Sequence, residues 1–132
     1  MVLLPILLLL VTSIVTNSET NSIVILRGFG NGTFVIEAIY STGDRSRPYS
    51  VVISDFNNDN RLDLAIANSG TSNVLLLYGL GNGTFGKETS YPLWYDYLPY
   101  SIAVNDLNQD GWMDIIIACY NTDSIEILMK IC

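Results

Sequence analysis

Two stretches of this chain carry oxygen-bearing side chains at a spacing that suits a hard cation. The first places Asp55, Asn57, Asp59 and Asp63 at loop positions 1, 3, 5 and 9; the second places Asp106, Asn108, Asp110 and Asp114 there. Both read D-x-N-x-D-[NG]-x-x-D, and they stand 51 residues apart. Ca2+ takes about six to eight oxygen ligands in flexible geometry, and short Asp and Asn side chains on a tight loop supply them. Position 7 would add only its backbone carbonyl, so Arg61 and Trp112 are both compatible with that place. Position 6 is Asn60 or Gly111, residues that tolerate the left-handed backbone needed to curl the loop. Asn and Asp also build ordinary turns through bonds to nearby backbone. Three aspartates per loop, twice at one repeat phase, favour the cation: carboxylates about 4 Å apart repel by roughly 1–4 kcal/mol. The expected cofactor is therefore Ca2+.

The elements that position these loops follow from the same shift of 51. It lays Gly28-Phe29-Gly30-Asn31-Gly32-Thr33-Phe34 on Gly79-Leu80-Gly81-Asn82-Gly83-Thr84-Phe85, and Pro48-Tyr49-Ser50 on Pro99-Tyr100-Ser101. Apolar runs at 23–26, 74–77 and 125–128 keep the same phase. A fixed period near 50 residues marks a repeat array whose units stack to build a shared core. Within a unit, short runs rich in Val, Ile, Leu and Tyr are broken by Gly, Asn, Asp and Ser, which reads as strands. No stretch of the repeat carries a helical spacing of apolar residues. The pattern predicts four strands, at 50–55, 62–68, 73–80 and 85–92, with the acidic loop between the first two. Residues 69–72 turn the second into the third, and Gly81-Asn82-Gly83 turn the third into the fourth. Asn-Gly between apolar strands is a strong hairpin signal, since both residues accept positive φ. Four antiparallel strands per unit of about 50 residues suggest a propeller blade.

These residues resemble the FG-GAP or VCBS-type repeats of integrin α-chain propellers and many secreted β-propellers, over 17–131. The resemblance implies an apolar strand, a D-x-[DN]-x-D-G-x-x-D loop, a second apolar strand and a glycine-rich hairpin, repeated around a seven-bladed propeller. The first loop departs from that pattern, with Asn60 where glycine is usual. The expected fold is all-β: an incomplete propeller of two to three blades, partial over 19–49, full over 50–93 and partial over 99–132. Uncovered blade faces and sheet edges require neighbours, so further blades or protomers are expected to complete it. A fragment, an incomplete gene product and one protomer of an assembly all satisfy that expectation.

Carried back by 51, the repeat puts Leu4, Ile6, Leu8 and Thr12 at the ligand positions, so no third calcium loop exists there. Residues 1–11 are an apolar run, short of the roughly 20 residues a bilayer span needs. They suit the hydrophobic region of a secretory signal, with small residues near Ser13 or Ser18 for cleavage, and residues 1–18 are read as signal-peptide-like. The missing Lys or Arg before the run and the early Pro5 count the other way. A truncated first blade is the rival reading, because Asn17-Ser18-Glu19-Thr20 aligns with Asn68-Ser69-Gly70-Thr71; an uncleaved membrane anchor is a third. Asn31-Gly32-Thr33 and Asn82-Gly83-Thr84 are N-glycosylation sequons at equivalent hairpins, making Asn31 and Asn82 candidate glycan sites or simple turn residues. Gly28-x-Gly30-x-Gly32 is no phosphate loop, because a strand follows it. Secretion is the expected location.

The net charge is −7, and six of the thirteen acids lie in the two loops. Two bound Ca2+ ions, with four positive charges, would bring −7 to −3. Such a chain lacks the electrostatic footprint for nucleic acid. It has no histidine, which excludes Ser-His-Asp and Cys-His catalysis within it. The close carboxylate pairs serve the loops as ligands, and no enzyme is expected. Cys119 and Cys132 are read as too far apart for a bridge, with Cys119 facing Glu126 across a hairpin. Five aromatics fall in Tyr91-Pro92-Leu93-Trp94-Tyr95-Asp96-Tyr97-Leu98-Pro99-Tyr100. They suit a stacking surface for a glycan or protein ligand, or packing of the outer strand against the next blade, which is the favoured reading. Together these features point to a secreted calcium-binding segment for extracellular binding or adhesion. The alternative is the non-catalytic propeller part of a larger secreted glycan-acting enzyme.

Overall fold

The structure is a computed structural model that describes residues 11–129, and these form three antiparallel sheets with no helix. The first sheet contains β1 (Val11–Asn17), β2 (Ser22–Gly28) and β3 (Phe34–Ser41). The second, complete, contains β4 (Pro48–Ser54), β5 (Asp63–Asn68), β6 (Asn73–Gly79) and β7 (Phe85–Pro92). The third contains β8 (Pro99–Asn105), β9 (Asp114–Cys119) and β10 (Ser124–Leu128). Strands lie side by side in chain order within each sheet. The first strand of the full unit begins at Pro48 rather than residue 50; the first place in a strand tolerates a residue without an N–H.

The segment read as signal-like divides. Residues 1–10 lie outside the described residues, whereas Val11–Asn17 form β1, paired with β2 from Val11–Gly28 to Asn17–Ser22. That strand stands 51 residues before β5 and takes the same second place in its unit, as the truncated-blade reading requires.

Two hairpin expectations are corrected. The turn from β6 to β7 is a wider loop, closed by the Leu80 N–H donating to the Thr84 carbonyl at 2.9 Å. Its left-handed residues are Gly81 and Gly83, not Asn82, and Gly30 and Gly32 repeat this in the first sheet. Asn82 instead uses its side-chain oxygen to accept the Thr84 N–H at 3.1 Å, as Asn31 does for Thr33. In the third sheet Cys119 pairs with Ser124, and Glu126 pairs with Ile117. Cys119 thus faces Ser124, two residues before the Glu126 expected from the sequence. Cys119 is a buried free thiol, pushed up in pKa by burial and then by the Glu126 charge; Cys132 lies outside the described residues.

Each side of the second sheet packs on a neighbour. Ala65, Ala67, Val74 and Leu76 face the third sheet and meet Ile102, Ile115 and Ile117. The alternate residues Leu64, Ile66, Leu75 and Leu77 face the first sheet and meet Ile23, Ile14 and Tyr40. This explains why β5 is buried throughout: a central strand covered on both faces reads as a continuous apolar run. The repeated Pro-Tyr-Ser motif joins adjacent units: Ser50 Oγ accepts the Ile102 N–H at 3.3 Å, and the Tyr49 and Tyr100 rings stack with centroids 5.1 Å apart. Antiparallel order puts the acidic loops and the glycine hairpins at one end of the sheets. The 69–72 turn and the aromatic connection stand at the other.

Candidate metal centre

The two acidic loops fold bond for bond alike. In the first, Asp55 accepts the N–H of Asp59 at 3.2 Å and of Asn60 at 2.8 Å, and Asp59 accepts that of Arg61 at 2.9 Å. In the second, Asp106 accepts the N–H of Asp110 at 3.1 Å and of Gly111 at 2.8 Å, and Asp110 accepts that of Trp112 at 2.9 Å. The amide of Asn57 donates to Asp59 at 3.3 Å and that of Asn108 to Asp110 at 3.2 Å. These bonds wrap the backbone about the carboxylates, as Asx-type turns do. Asn60 and Gly111 are left-handed, with φ of 65° and 86°, as position 6 requires. Position 4 is left-handed too, at Asn58 and Gln109 with φ of 57° and 59°. That second reversal had only one cue in the sequence: Asn at position 4 of the first loop.

The ninth-position aspartates have a structural duty besides any ligand role. Asp63 is wholly buried and accepts two backbone N–H groups, from Phe56 at 2.9 Å and Gly79 at 2.8 Å. Asp114 is equally buried and accepts the Leu107 N–H at 2.9 Å. Burial pushes the Asp63 carboxyl above its ordinary pKa, the two N–H donors pull it back, and the negative charges of Asp59 and Asp55 raise it further. Each of its oxygens keeps a free lone pair after one such bond.

One buried side-chain atom of the first loop has no hydrogen-bond partner: the Asn57 side-chain oxygen, Oδ1. A buried acceptor without a partner costs about 1–3 kcal/mol. At position 3, beside Asp55 and Asp59, this oxygen is placed to donate to a cation. Among the described residues no three Asp, Glu, His or Cys side chains form a metal-holding group by themselves. A donor set for a cation here would have to mix carboxylates with the Asn57 amide oxygen and the position-7 carbonyl. Mixed oxygen sets of that kind suit Ca2+ better than a softer metal.

Two features of the site lay beyond sequence reading. Phe56, at position 2, is wholly buried in the core shared with the third sheet, while its counterpart Leu107 is exposed. The loops also touch: the Asn58 amide donates to the Gly111 carbonyl at 3.2 Å. The candidate glycan residues Asn31 and Asn82 sit exposed at hairpin tips on the same end. Of the aromatic segment, Tyr91, Leu93 and Tyr97 pack against the core. Trp94 and Tyr95 remain 76% and 91% exposed, so packing accounts for only part of that run.

Stacked antiparallel sheets with a 51-residue period, the second and third each carrying an acidic loop between its first and second strands, define a β-propeller-like repeat domain. The FG-GAP-like repeat family matches residues 9–66 and 55–117, and the chain belongs to that family. No curated protein and no solved structure matches it significantly.

Proposed function

We propose that the chain is a secreted, calcium-binding β-propeller segment that serves extracellular binding or adhesion to a protein or glycan ligand, with no catalysis of its own. The partnerless buried oxygen of Asn57, in an acidic loop whose backbone bonding is repeated in the second copy, carries the calcium reading. Asp55, Asn57, Asp59, Asp63 and the Arg61 carbonyl would hold one ion. Asp106, Asn108, Asp110, Asp114 and the Trp112 carbonyl would hold the other. Affinities of about 10⁻⁴–10⁻³ M are usual for extracellular modules. Each ion would tie the first and second strands of a blade together, so binding couples to folding. Calorimetry checks this: at about ten times Kd, each ion should add roughly 1.4 kcal/mol and raise the melting temperature by several degrees. An unchanged melting curve between millimolar calcium and chelator would sink the proposal.

The two sites should differ. Gly111 takes its positive φ freely, whereas Asn60 does so at a modest cost. Arg61 adds a cation beside the first loop, where the second has neutral Trp112. The Asp106 loop should therefore bind more tightly. Asp110→Ala should remove the tighter phase of a calcium titration and Asp59→Ala the weaker. The reverse assignment would mean that anchoring by buried Phe56 outweighs the loops' own residues.

The exposed Trp94 and Tyr95 suit stacking on a glycan or a protein ligand, since aromatic rings supply large, rigid contact area. The same feature supports the second reading, the non-catalytic part of a larger secreted glycan-acting enzyme. A histidine-containing domain in the same open reading frame would favour that reading, and further 51-residue repeats alone would remove its support.

A further inference from the structure

The first and third sheets present outward faces built from the same positions that form the buried contacts inside the array. On the third sheet, Ile116, Ile125 and Ile127 stand 51 residues beyond Ala65, Val74 and Leu76, which the second sheet buries against the third. Ile125 is 68% exposed, and Leu107 and Met129, the counterparts of Phe56 and Tyr78, are exposed too. On the first sheet, Val15 and Phe34 are the counterparts of Ile66 and Phe85, which face the first sheet within the array. Ile36 and Ile39 lie opposite Leu26 and Val24 on that same side and are 63% and 61% exposed.

The apolar choice at these last positions is specific to the first sheet. The residues of β7 opposite Leu77 and Leu75, the counterparts of Leu26 and Val24, are Glu88 and Ser90, polar as expected of an outer strand facing water. One outward face thus repeats the second sheet's third-facing surface, and the other repeats its first-facing surface. Those two surfaces are complementary wherever the array brings a pair together. Contiguous exposed apolar surface of this kind marks an association site.

We propose that the chain associates head to tail with a second copy of itself, the outward face of the third sheet of one copy packing on the outward face of the first sheet of the next. The contact continues the inter-sheet packing seen twice within the chain, and it would cover Ile125, Ile127 and Leu107 of one copy with Val15, Ile36 and Ile39 of the other. Such a contact is heterologous: it joins two different surfaces, so it builds a ring when the rotation closes and a filament when it does not. It needs neither a bound metal nor an outside ligand.

Sedimentation of the full chain in millimolar calcium tests it, with two double variants. Ile125→Lys with Ile127→Glu blocks one face, and Ile36→Lys with Ile39→Glu blocks the other. The wild type should show concentration-dependent species larger than a monomer. Each variant alone should lose association by more than about tenfold. Mixed at equal concentration, the two should form a one-to-one dimer through their remaining faces. A monomeric wild type at every concentration overturns the proposal. So does self-association of either variant alone, which would mean that like faces pair. Circular dichroism verifies that the variants fold; should one fail, Ile125→Ser and Ile39→Ser replace the doubles in the same mixing test.

Discussion

Asp63→Ala should destabilise the chain by about 4 kcal/mol with calcium present, and nearly as much with calcium chelated. The substitution leaves the N–H groups of Phe56 and Gly79 without their acceptor. Each buried orphan donor costs about 1–3 kcal/mol, against a typical domain stability of about 5–15 kcal/mol. Removing the buried charge also relieves its desolvation and its repulsion by Asp59 and Asp55, which offsets part of that cost. Asp59→Ala makes the informative contrast. Its carboxylate is exposed and accepts bonds only within the loop, so its removal should matter in calcium and scarcely in chelator. Denaturant unfolding in both conditions separates the two roles. Equal sensitivity of both variants to chelator would show that Asp63 is a ligand alone and that its backbone bonds contribute nothing.

Gly79→Ala should cost about 3 kcal/mol, at the upper end of what overpacking usually does. A Cβ built on Gly79 would lie 2.0 Å from the Leu62 carbonyl oxygen, far inside any permitted contact. Backbone would have to move at the point where Gly79 also donates to Asp63 at 2.8 Å. The same close approach recurs at Gly70, whose Cβ would lie 2.0 Å from the Arg45 carbonyl oxygen. Gly83→Ala is the control: it has a φ of +84° but nothing within 4 Å, so only the left-handed backbone penalty of about 1–2 kcal/mol applies. Thermal unfolding ranks the variants. A Gly79→Ala chain as stable as Gly83→Ala would mean that the close approach of β6 to Leu62 is not maintained in solution.

The acidic loops were legible in the sequence because their geometry is local. Nine residues of side-chain and backbone bonding determine where Asp55, Asp59 and Asn60 lie, and the second copy reproduces those bonds from nearly the same residues. The strands of the full unit were legible for a similar reason. Apolar runs and their breakers locate each strand to within about two residues, and the 51-residue shift checks one unit against another. The Asn-Gly hairpin misled because the cue for left-handed backbone was given to asparagine, while the flanking glycines take those angles at no steric cost.

What the sequence by itself determined is the repeat: its period, its all-β character, the family, and which side chains ring each loop. Those properties depend on neighbours a few residues apart or on a pattern that recurs. Only the tertiary structure decided that Asp63 clamps Phe56 and Gly79, that Asn58 reaches Gly111, and that Val11–Asn17 joins a sheet. It also decided that Phe56 is buried while Leu107 is exposed at the same loop position. The physical reason is common to all of these. Burial and hydrogen-bond satisfaction depend on what a neighbouring sheet places against a residue, and two residues at the same repeat position meet different neighbours.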